Sequence, residues 1–556
     1  MMNRRSLFAI LAGVALVLLL AAGGSLYWIL SKSPLPLLLT GVKDNPAAAV
    51  FIPKQAPVVV SLLANPERLE TFVRSATPLR QRKRAQAELE QLQQGLLANT
   101  GADYNEDIQP WLGDELTFAL TASDFDRDGD NGEQPGYLWV ADSKDGDAAR
   151  EFLQSYYAKD AIAGTSELVS EPYKGVNLIY RRNLTDNTTT SASAVVGDRF
   201  VLFANHPRIL REALNNAQAV DLNLQRNPAY QKALSTLQGP RIGVSVIDLP
   251  ALAGFVAKQP VPPELQQTLT VGLALSRQGL IAKTALAGFK GDENVSPALS
   301  QPVKALELIP ARAMAAAAGT DLQQQWEQVS TGVTPDSAPA QLLDRVVSRL
   351  NESLDIDVVE EIFSWARGEY AIALLPPAEE NRPNWVFVAQ KTPEAEAAIA
   401  RFDTLARQRD LSVGNFTLGD RKIAVWTKLE ASEEQPATRL EASVKGARTQ
   451  TDDFVIFGSS LDGLGQALGD GDRSLLVKEE FKDAIALLPK QNDGYVYLDW
   501  TQSESLFEKN IPLFPIVEFA GQPLFRNLRS LVLSSNGKEN GIGRATVFLK
   551  FGTGQS

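Results

Sequence analysis

Apolar and polar residues alternate through the chain in short runs that are typical of β-strands. The predicted strands of the first half are Val58–Leu63, Leu116–Ala122, Tyr137–Asp142, Val176–Arg182, Ala192–Val196, Phe200–Ala204, Ile242–Asp248, Leu269–Leu275 and Gly279–Ala287. The predicted helices are Pro66–Leu97, Asp147–Ala158 and Pro207–Ala217. Strands outnumber helices without a regular βαβ alternation, so the pattern predicts an α+β fold of mostly antiparallel sheet and disfavours a doubly wound nucleotide-binding fold.

The same pattern occurs twice. Trp111-Leu-Gly-Asp-Glu115 precedes an apolar run, and Trp365-Ala-Arg-Gly-Glu369 precedes another one 254 residues later. Phe200-Val-Leu-Phe203 returns as Phe454-Val-Ile-Phe457 at the same spacing. Ordered matches of this kind favour an internal duplication over chance likeness between two unrelated domains. We therefore expect two tandem homologous domains with packed helices, residues 47–295 and 302–553, joined by a linker at 296–301.

A long apolar stretch, Leu7–Leu30, contains no charged residue and could span a bilayer core roughly 30 Å thick as a helix. Arg4 and Arg5 precede it, which places residues 1–6 in the cytoplasm by the positive-inside rule. The sequence thus predicts a transmembrane helix at 7–30, a Pro-rich tether at 31–46 and an extracytoplasmic body. The membrane would be the plasma (inner) or the thylakoid membrane. A cleaved signal peptide is the less favoured alternative, because more apolar chain follows the small residues Ala21–Ser25.

Composition excludes several kinds of chemistry. The chain has no cysteine, so disulfides, thiolate nucleophiles and cysteine-ligated metals are excluded. Its net charge of −12 argues against nucleic acid as a partner. The single histidine, His206, precedes a predicted helix and becomes Ser460 in the second copy. We therefore interpret His206 as a surface or capping residue rather than a catalytic one.

Four carboxylates, Asp124, Asp126, Asp128 and Asp130, follow the spacing of the first half of a calcium-binding loop, with Gly129 at the turn. Position 12 of that loop, normally glutamate, is Pro135. A weak calcium site is therefore the one candidate for a bound cofactor, and an acidic, solvated hairpin tip is the favoured alternative.

The other unusual segments have structural interpretations. The recurring acids, Glu115 with Glu369 and Asp248 with Asp499, are expected at strand starts and helix caps rather than as catalytic carboxylates. The basic run Leu79–Arg84 is expected on an exposed helix, although it could contact anionic lipid headgroups. The apolar segment Pro512–Phe525 is expected to pack into the second core, with an exposed partner-binding patch as the alternative.

The anchor, the tether, the opening Phe51-Ile-Pro-Lys-Gln-Ala-Pro57 and the Trp111–Glu115 motif together resemble an uncharacterised, mainly cyanobacterial family of membrane-anchored proteins, a domain of unknown function. The resemblance transfers no catalytic or binding residue. We expect a non-enzymatic, membrane-tethered scaffold that binds a protein partner. A carrier of an apolar ligand or lipid, and a carboxylate-based hydrolase, are the alternatives. A deep apolar cavity would favour the carrier, and converging acids in a cleft would favour the hydrolase.

Overall fold

The computed structural model describes most of the chain from residue 45 onward. The described residues are 45–63, 103–257, 267–288, 299–332, 347–351, 357–503 and 528–551, with short gaps at 129, 131, 133, 163–165, 185–188, 238, 277–278, 349–350, 378–383, 419–420, 435–436 and 470–473. They fall into two compact units, one formed by residues from 45 to 288 and the other by those from 299 to 503 and from 528 to 550.

The first unit holds ten strands among its described residues. They are β1 (Val58–Leu62), β2 (Leu112–Ala122), β3 (Gly136–Ser143), β4 (Ser166–Tyr173), β5 (Val176–Asn183), β6 (Thr189–Val196), β7 (Phe200–Ala204), β8 (Gly243–Asp248), β9 (Thr268–Ser276) and β10 (Gly279–Ala287). Each pairs antiparallel with its neighbours, in the order β4-β5-β6-β7-β3-β2-β1-β8-β9-β10.

The helices of the first unit cover both faces of these strands. They are α1 (Gly146–Ile162), α2 (Pro207–Gln218), α3 (Pro228–Thr236) and α4 (Leu249–Ala257), with 3-10 turns at Ala47–Val50 and Leu224–Arg226 and a π-helical turn at Tyr104–Ile108. One core lies against α2 and α3 and contains Leu138, Val140 and Leu202. The other lies against α1 and contains Trp111, Leu153 and Tyr157.

The second unit repeats this topology. Its strands are β11 (Ala315–Thr320), β12 (Glu369–Leu375), β13 (Asn384–Gln390), β14 (Ser412–Leu418), β15 (Arg421–Glu434), β16 (Ala437–Gln450), β17 (Phe454–Gly458), β18 (Gly494–Asp499), β19 (Leu528–Glu539) and β20 (Ile542–Phe551). Their order is β14-β15-β16-β17-β13-β12-β11-β18-β19-β20, again antiparallel. The same connectivity therefore organises both units.

The helices of the second unit are shorter on average. They are α5 (Leu322–Gly332), α6 (Pro393–Gln408), α7 (Leu461–Ala467) and α8 (Glu479–Ala486), with 3-10 turns at Lys304–Leu308 and Leu475–Val477 and a π-helical turn at Val359–Phe363. Helix α6 has a strong start: Thr392 Oγ1 accepts a hydrogen bond from the backbone N–H of Ala395, Pro393 is the first helical residue, and Glu394 and Glu396 occupy the first turn.

The predicted fold class, an N-terminal transmembrane helix followed by two α+β domains, is wrong. The fold is mostly antiparallel sheet, because long strands such as β15 and β16 add to the runs that the sequence identified. Among the described residues, no helix is long and apolar enough to cross a membrane. The segment 7–30 itself lies outside the described residues, as do residues 1–6, the predicted helix Pro66–Leu97 and residues 31–44 of the predicted tether 31–46.

The individual elements of the first unit were predicted well. Every predicted strand is confirmed to within four residues at either end, and α1 and α2 are confirmed as helices. Strand β4 was missed because its residues are exposed or half-buried throughout, which leaves no apolar signal for an edge strand.

Candidate functional site

The second unit contains a cavity of about 420 Å³ beneath helix α6, which we call the aromatic pocket. Most of its lining is aromatic or aliphatic, and none of the described residues that line it is an aspartate or glutamate. The lining residues are Ile362, Trp365, Trp385, Phe387, Phe402, Leu405, Ala406, Arg409, Leu411, Trp426, Lys428, Lys445, Gly446 and Phe457.

The floor of the aromatic pocket is formed by three buried rings, Trp365, Phe387 and Phe457. Their centroids lie 6.0 to 6.4 Å apart in edge-to-face, tilted and stacked arrangements. The indole Nε1 of Trp365 donates a hydrogen bond to the carbonyl of Glu361 in the π-helical turn, which satisfies the one polar atom of the ring. The floor is therefore a rigid apolar surface.

Trp426 of β15 forms a wall of the pocket and is held by two charged residues. Its Nε1 donates to Asp403 Oδ1 at 3.1 Å, and Arg448 Nε donates to the same oxygen at 3.0 Å. Burial of Asp403 raises the pKa of its carboxyl, but the hydrogen bonds from Arg448 and Trp426 outweigh that effect and hold the pKa below its usual range. Asp403 is therefore ionised and orients the indole.

Gly446 of β16 is paired with Trp426 and leaves room for the indole. A Cβ atom at residue 446 would lie 2.7 Å from Trp426 Cε3, closer than a side-chain contact allows. Any other residue at this position would therefore push the indole away from β16.

Three basic residues line the outer part of the pocket, and we call Arg409, Lys428 and Lys445 the basic rim. All three side chains are exposed, whereas the apolar lining residues are buried or half-buried. Arg409 ends α6, and Lys428 follows Trp426 by two residues on the same face of β15. Lys445 is the extra residue of a β-bulge, since Trp426 pairs with Gly446 and Thr427 with Val444.

The carboxylates of the predicted calcium loop accept hydrogen bonds from backbone N–H groups of their own hairpin. Asp126 and Asp128 each accept a hydrogen bond from the backbone N–H two residues later, at 3.1 Å, and Asp124 Oδ1 accepts one from the N–H of Gln134 at 3.4 Å. Among the described residues, Asp124, Asp126, Asp128 and Asp130 included, no group of three or more metal-binding side chains could hold a metal ion. The calcium site stays a prediction.

The recurring tryptophan and glutamate have structural partners in both units. Trp111 Nε1 donates to the carbonyl of Asp107 at 2.7 Å, as Trp365 does to Glu361. Glu115 accepts hydrogen bonds from the N–H groups of Ala47 and Ala48, and Glu369 accepts one from Ala305. Each glutamate thus caps the 3-10 turn that opens its unit.

The other predicted site residues that the structure describes also make structural contacts. Asp248 caps α4 through the N–H of Ala251, and Asp499 pairs with Lys478 at 2.8 Å. His206 Nδ1 accepts a hydrogen bond from the N–H of Arg208 at the start of α2. The segments Leu79–Arg84 and Pro512–Phe525 lie outside the described residues.

The aromatic pocket was missed by sequence reasoning, although a signal for it exists. Three of the eight tryptophans in the chain, Trp365, Trp385 and Trp426, line the pocket, but they are far apart in sequence. The pairing of β13, β17, β16 and β15 brings Trp385 and Trp426 together, and Trp365 reaches them from the residues before β12. This pairing cannot be read from local periodicity.

Comparison with known proteins identifies a matching family, but the function of that family is unknown. The family described as "Protein of unknown function (DUF3352)" matches residues 11–551. No curated protein matches the chain. A solved structure described as "Structure of crystal form I of TP0453" is 10% identical, covers 46% of this chain and 83% of that chain, and has a TM-score of 0.26. A likeness that weak carries no argument about function.

Proposed function

We propose, for a chain that belongs to the DUF3352 family of unknown function, that its second unit binds an apolar ligand in the aromatic pocket. The observation that carries the proposal is a cavity of about 420 Å³ lined mainly by aromatic and aliphatic residues. Ligand pockets typically enclose about 300–1,000 Å³ and are lined mainly by hydrophobic and aromatic side chains with a few polar groups. The protein would act as a binder or carrier rather than as an enzyme.

The lining supports binding over catalysis. Its polar side chains belong to three cations, and it includes no carboxylate, serine or histidine that could act as a general acid, base or nucleophile. This pocket therefore gives no support to a carboxylate-based hydrolase, which was one of the alternatives considered from the sequence. The extracytoplasmic location expected from the sequence is part of the proposal, and protease access to both units in right-side-out plasma-membrane vesicles tests it.

Burial of apolar surface would provide the affinity. Each methylene group moved from water into the pocket contributes about 0.8 kcal/mol, which is about fourfold in affinity. The rigid floor of Trp365, Phe387 and Phe457 and the fixed wall at Trp426 reduce the entropy lost on binding, since these rings are already ordered.

A series of straight-chain alcohols from octanol to dodecanol tests the proposal by calorimetry on the full-length chain. We expect affinity to rise about fourfold for each added methylene group until the pocket is full. Gly446→Ala should weaken binding, because the new methyl group displaces the Trp426 indole. Gly414→Ala is the matched control, since a Cβ at residue 414 meets nothing within 4 Å. An affinity that ignores chain length, or equal behaviour of the two variants, would contradict the proposal.

A second candidate function, the protein-binding scaffold favoured by the sequence, is supported by an aromatic cluster in the first unit. Trp139 is 44% exposed and Tyr137 is 38% exposed, and both rings lie within 6.0 Å of the Phe118 ring. Exposed aromatic residues of this kind are enriched in the energetic centres of protein interfaces. Replacing Trp139 and Tyr137 with serine should abolish crosslinking to a specific partner, and unchanged crosslinking would remove this support.

A further inference from the structure

The lining of the aromatic pocket is richer in rings than its apolar character requires. Six of its fourteen described residues are aromatic and four are aliphatic, in a chain that is 8% aromatic. The rings come from helix α6, from strands β13, β15 and β17, and from Trp365 just before β12. Elements distant in sequence therefore place their aromatic residues around one cavity.

Phe457 is the centre of a connected set of these rings. The centroid of its ring lies 5.3 Å from that of Phe402, 6.2 Å from Trp365, 6.3 Å from Trp426 and 6.4 Å from Phe387. Aromatic pairs attract one another at centroid distances of about 4.5–7 Å. All five rings also line the cavity, so a ligand in it meets aromatic carbon on several sides.

The shared scaffold does not require so many rings. Phe203, the counterpart of Phe457 in the first unit, lies 6.5 Å from Trp111, which is its one ring partner among the described residues. The first unit nevertheless pairs its strands in the same order as the second. The additional rings around Phe457 are therefore a property of the pocket rather than of the fold.

We propose that the ligand of the aromatic pocket carries a planar aromatic system of two or three fused rings. The inference rests on the proposed function and specifies its ligand. Aromatic rings pair in offset-stacked and edge-to-face arrangements, and each pair adds about two- to twelvefold in affinity beyond the burial of apolar area. A saturated ring lacks this interaction, because it has no π-system.

The size and rigidity of the pocket fit such a ligand. Its volume of about 420 Å³ equals that of roughly 14 water molecules at about 30 Å³ each, which is room for a ring system of this size. The indoles of Trp365 and Trp426 are already held by hydrogen bonds from their Nε1 atoms. A fused ring has no rotatable bond to order, so binding costs less conformational entropy than it does for a flexible chain.

The alternative is that the rings serve only as apolar surface. Burial of area would then decide the affinity. A saturated ring compound would bind at least as tightly as the aromatic compound with the same carbon skeleton, because its additional hydrogens give it more apolar surface to bury. The two possibilities therefore predict opposite orders of affinity.

The test compares naphthalenemethanol with its fully saturated counterpart, decalinmethanol, by calorimetry on the full-length chain. Both compounds are neutral and carry the same hydroxymethyl group, so the difference in affinity reports the interaction between rings. We expect the aromatic compound to bind about fivefold more tightly. Equal affinity, or tighter binding of the saturated compound, would overturn this inference and leave the pocket standing.

Dodecanol separates a failure of this inference from a failure of the proposed function. If dodecanol binds and neither ring compound does, the ligand class is wrong and the pocket stands. If none of the three compounds binds, the proposed function itself is overturned.

Two matched variants locate the source of the preference. Phe402 lines the pocket and pairs with Trp426 and Phe457, whereas Phe363 is also half-buried but lies outside the lining and pairs with Trp326. In Phe402→Leu the preference for the aromatic compound should fall to about twofold, because one ring of the lining is lost. Phe363→Leu should keep the fivefold preference. An unchanged preference in Phe402→Leu, or an equal loss in both variants, would contradict the inference.

Discussion

The region of the first unit that corresponds to the aromatic pocket carries different side chains. The strand ladders define the equivalence: Phe203 pairs with Ser193 across β6 and β7, and Phe457 pairs with Arg448 across β16 and β17. In the first unit, Tyr157 of α1 is buried at this place and its hydroxyl lies 2.7 Å from Ser193 Oγ. The first unit therefore has a tyrosine–serine hydrogen bond where the second unit has the ion pair of Asp403 and Arg448.

A neighbouring position, on β5 in the first unit and on β15 in the second, also carries different side chains. Two residues beyond the partner of Ser193 lies Arg181, whose guanidinium carbon is 4.9 Å from the Tyr156 ring and 5.0 Å from the Tyr157 ring. The corresponding residue of the second unit is Trp426, which packs against Phe402. The first unit thus stacks a cation on two tyrosines, whereas the second builds an aromatic wall with Asp403 behind it.

This comparison separates scaffold from function. The backbone order, the tryptophan floor and the glutamate cap are shared, so they specify the fold. The side chains that α1 and α6 place against the strands are not shared, and they decide what each region can bind. Different side chains on one scaffold are the usual way in which a fold acquires a new binding function.

The largest expected effect is a loss of stability on removing the tryptophan that both units share. Trp111→Ala and Trp365→Ala should each cost about 4 kcal/mol of local stability, because each removes a large ring that is 2% or 3% exposed. Hydrogen exchange of each unit in the full chain measures this. If only one of the two variants lost stability, the two tryptophan motifs would not be structurally equivalent.

A smaller effect should distinguish the units. Arg448→Ala should destabilise the second unit by about 2 kcal/mol, because it leaves the Asp403 carboxylate, only 15% exposed, without its ion-pair partner. Ser193→Ala in the first unit should cost about 1 kcal/mol, since only a neutral hydrogen bond to Tyr157 is lost. Urea unfolding followed by hydrogen exchange measures the loss of stability in each variant. Equal losses would contradict the assignment of Asp403 as an ionised group.

The pH dependence of the Asp403 pair follows from the lowered pKa of its carboxyl. A depressed carboxyl pKa adds stability that is complete above the unfolded value of about 4 and is lost as the pH falls below it. We therefore expect Arg448→Ala to flatten the acid limb of the second unit's stability curve. An acid limb identical to that of the unaltered protein would argue against this pair as its source.

His206 and Ser460 provide a matched pair for a smaller effect. His206 caps the helix after β7 through Nδ1, and Ser460 caps the corresponding helix after β17 through Oγ. Burial lowers the pKa of His206, with help from Arg211 and Arg208. Its contribution is therefore present above about pH 6.5 and lost as the pH falls through the lower folded value. His206→Ser should remove this loss from the first unit, measured by melting between pH 5 and 8. A variant that keeps the same pH profile would exclude His206 as the titrating group.

The smallest effect is expected at the acidic hairpin Asp124–Asp130, whose spacing of aspartates does not recur in the second unit. Asp126→Ala and Asp128→Ala should each cost about 0.5 kcal/mol, because each removes one exposed turn hydrogen bond. The calcium prediction is tested on the same proteins. Calcium should raise the melting temperature of the unaltered chain and not of the double variant, and identical behaviour would sink that prediction.

The sequence by itself determined the repeating elements of this protein. Apolar runs such as Phe200–Ala204 and the turn residues around them identify strands through local periodicity, and the Trp111 and Trp365 motifs mark the same point in both copies. These signals are local, because strand periodicity and helix capping depend on neighbouring residues. The duplication could therefore be recognised without coordinates.

Only the tertiary structure decided the pocket and its charge. Asp403 and Arg448 are 45 residues apart, and Glu115 caps residues 67 and 68 positions earlier. Contacts over such separations depend on strand register, in which a shift of one residue turns every side chain to the other face. The contacts of Trp426 in the second unit and of Tyr157 in the first depend on that register and on side-chain volume, and neither is written in local periodicity.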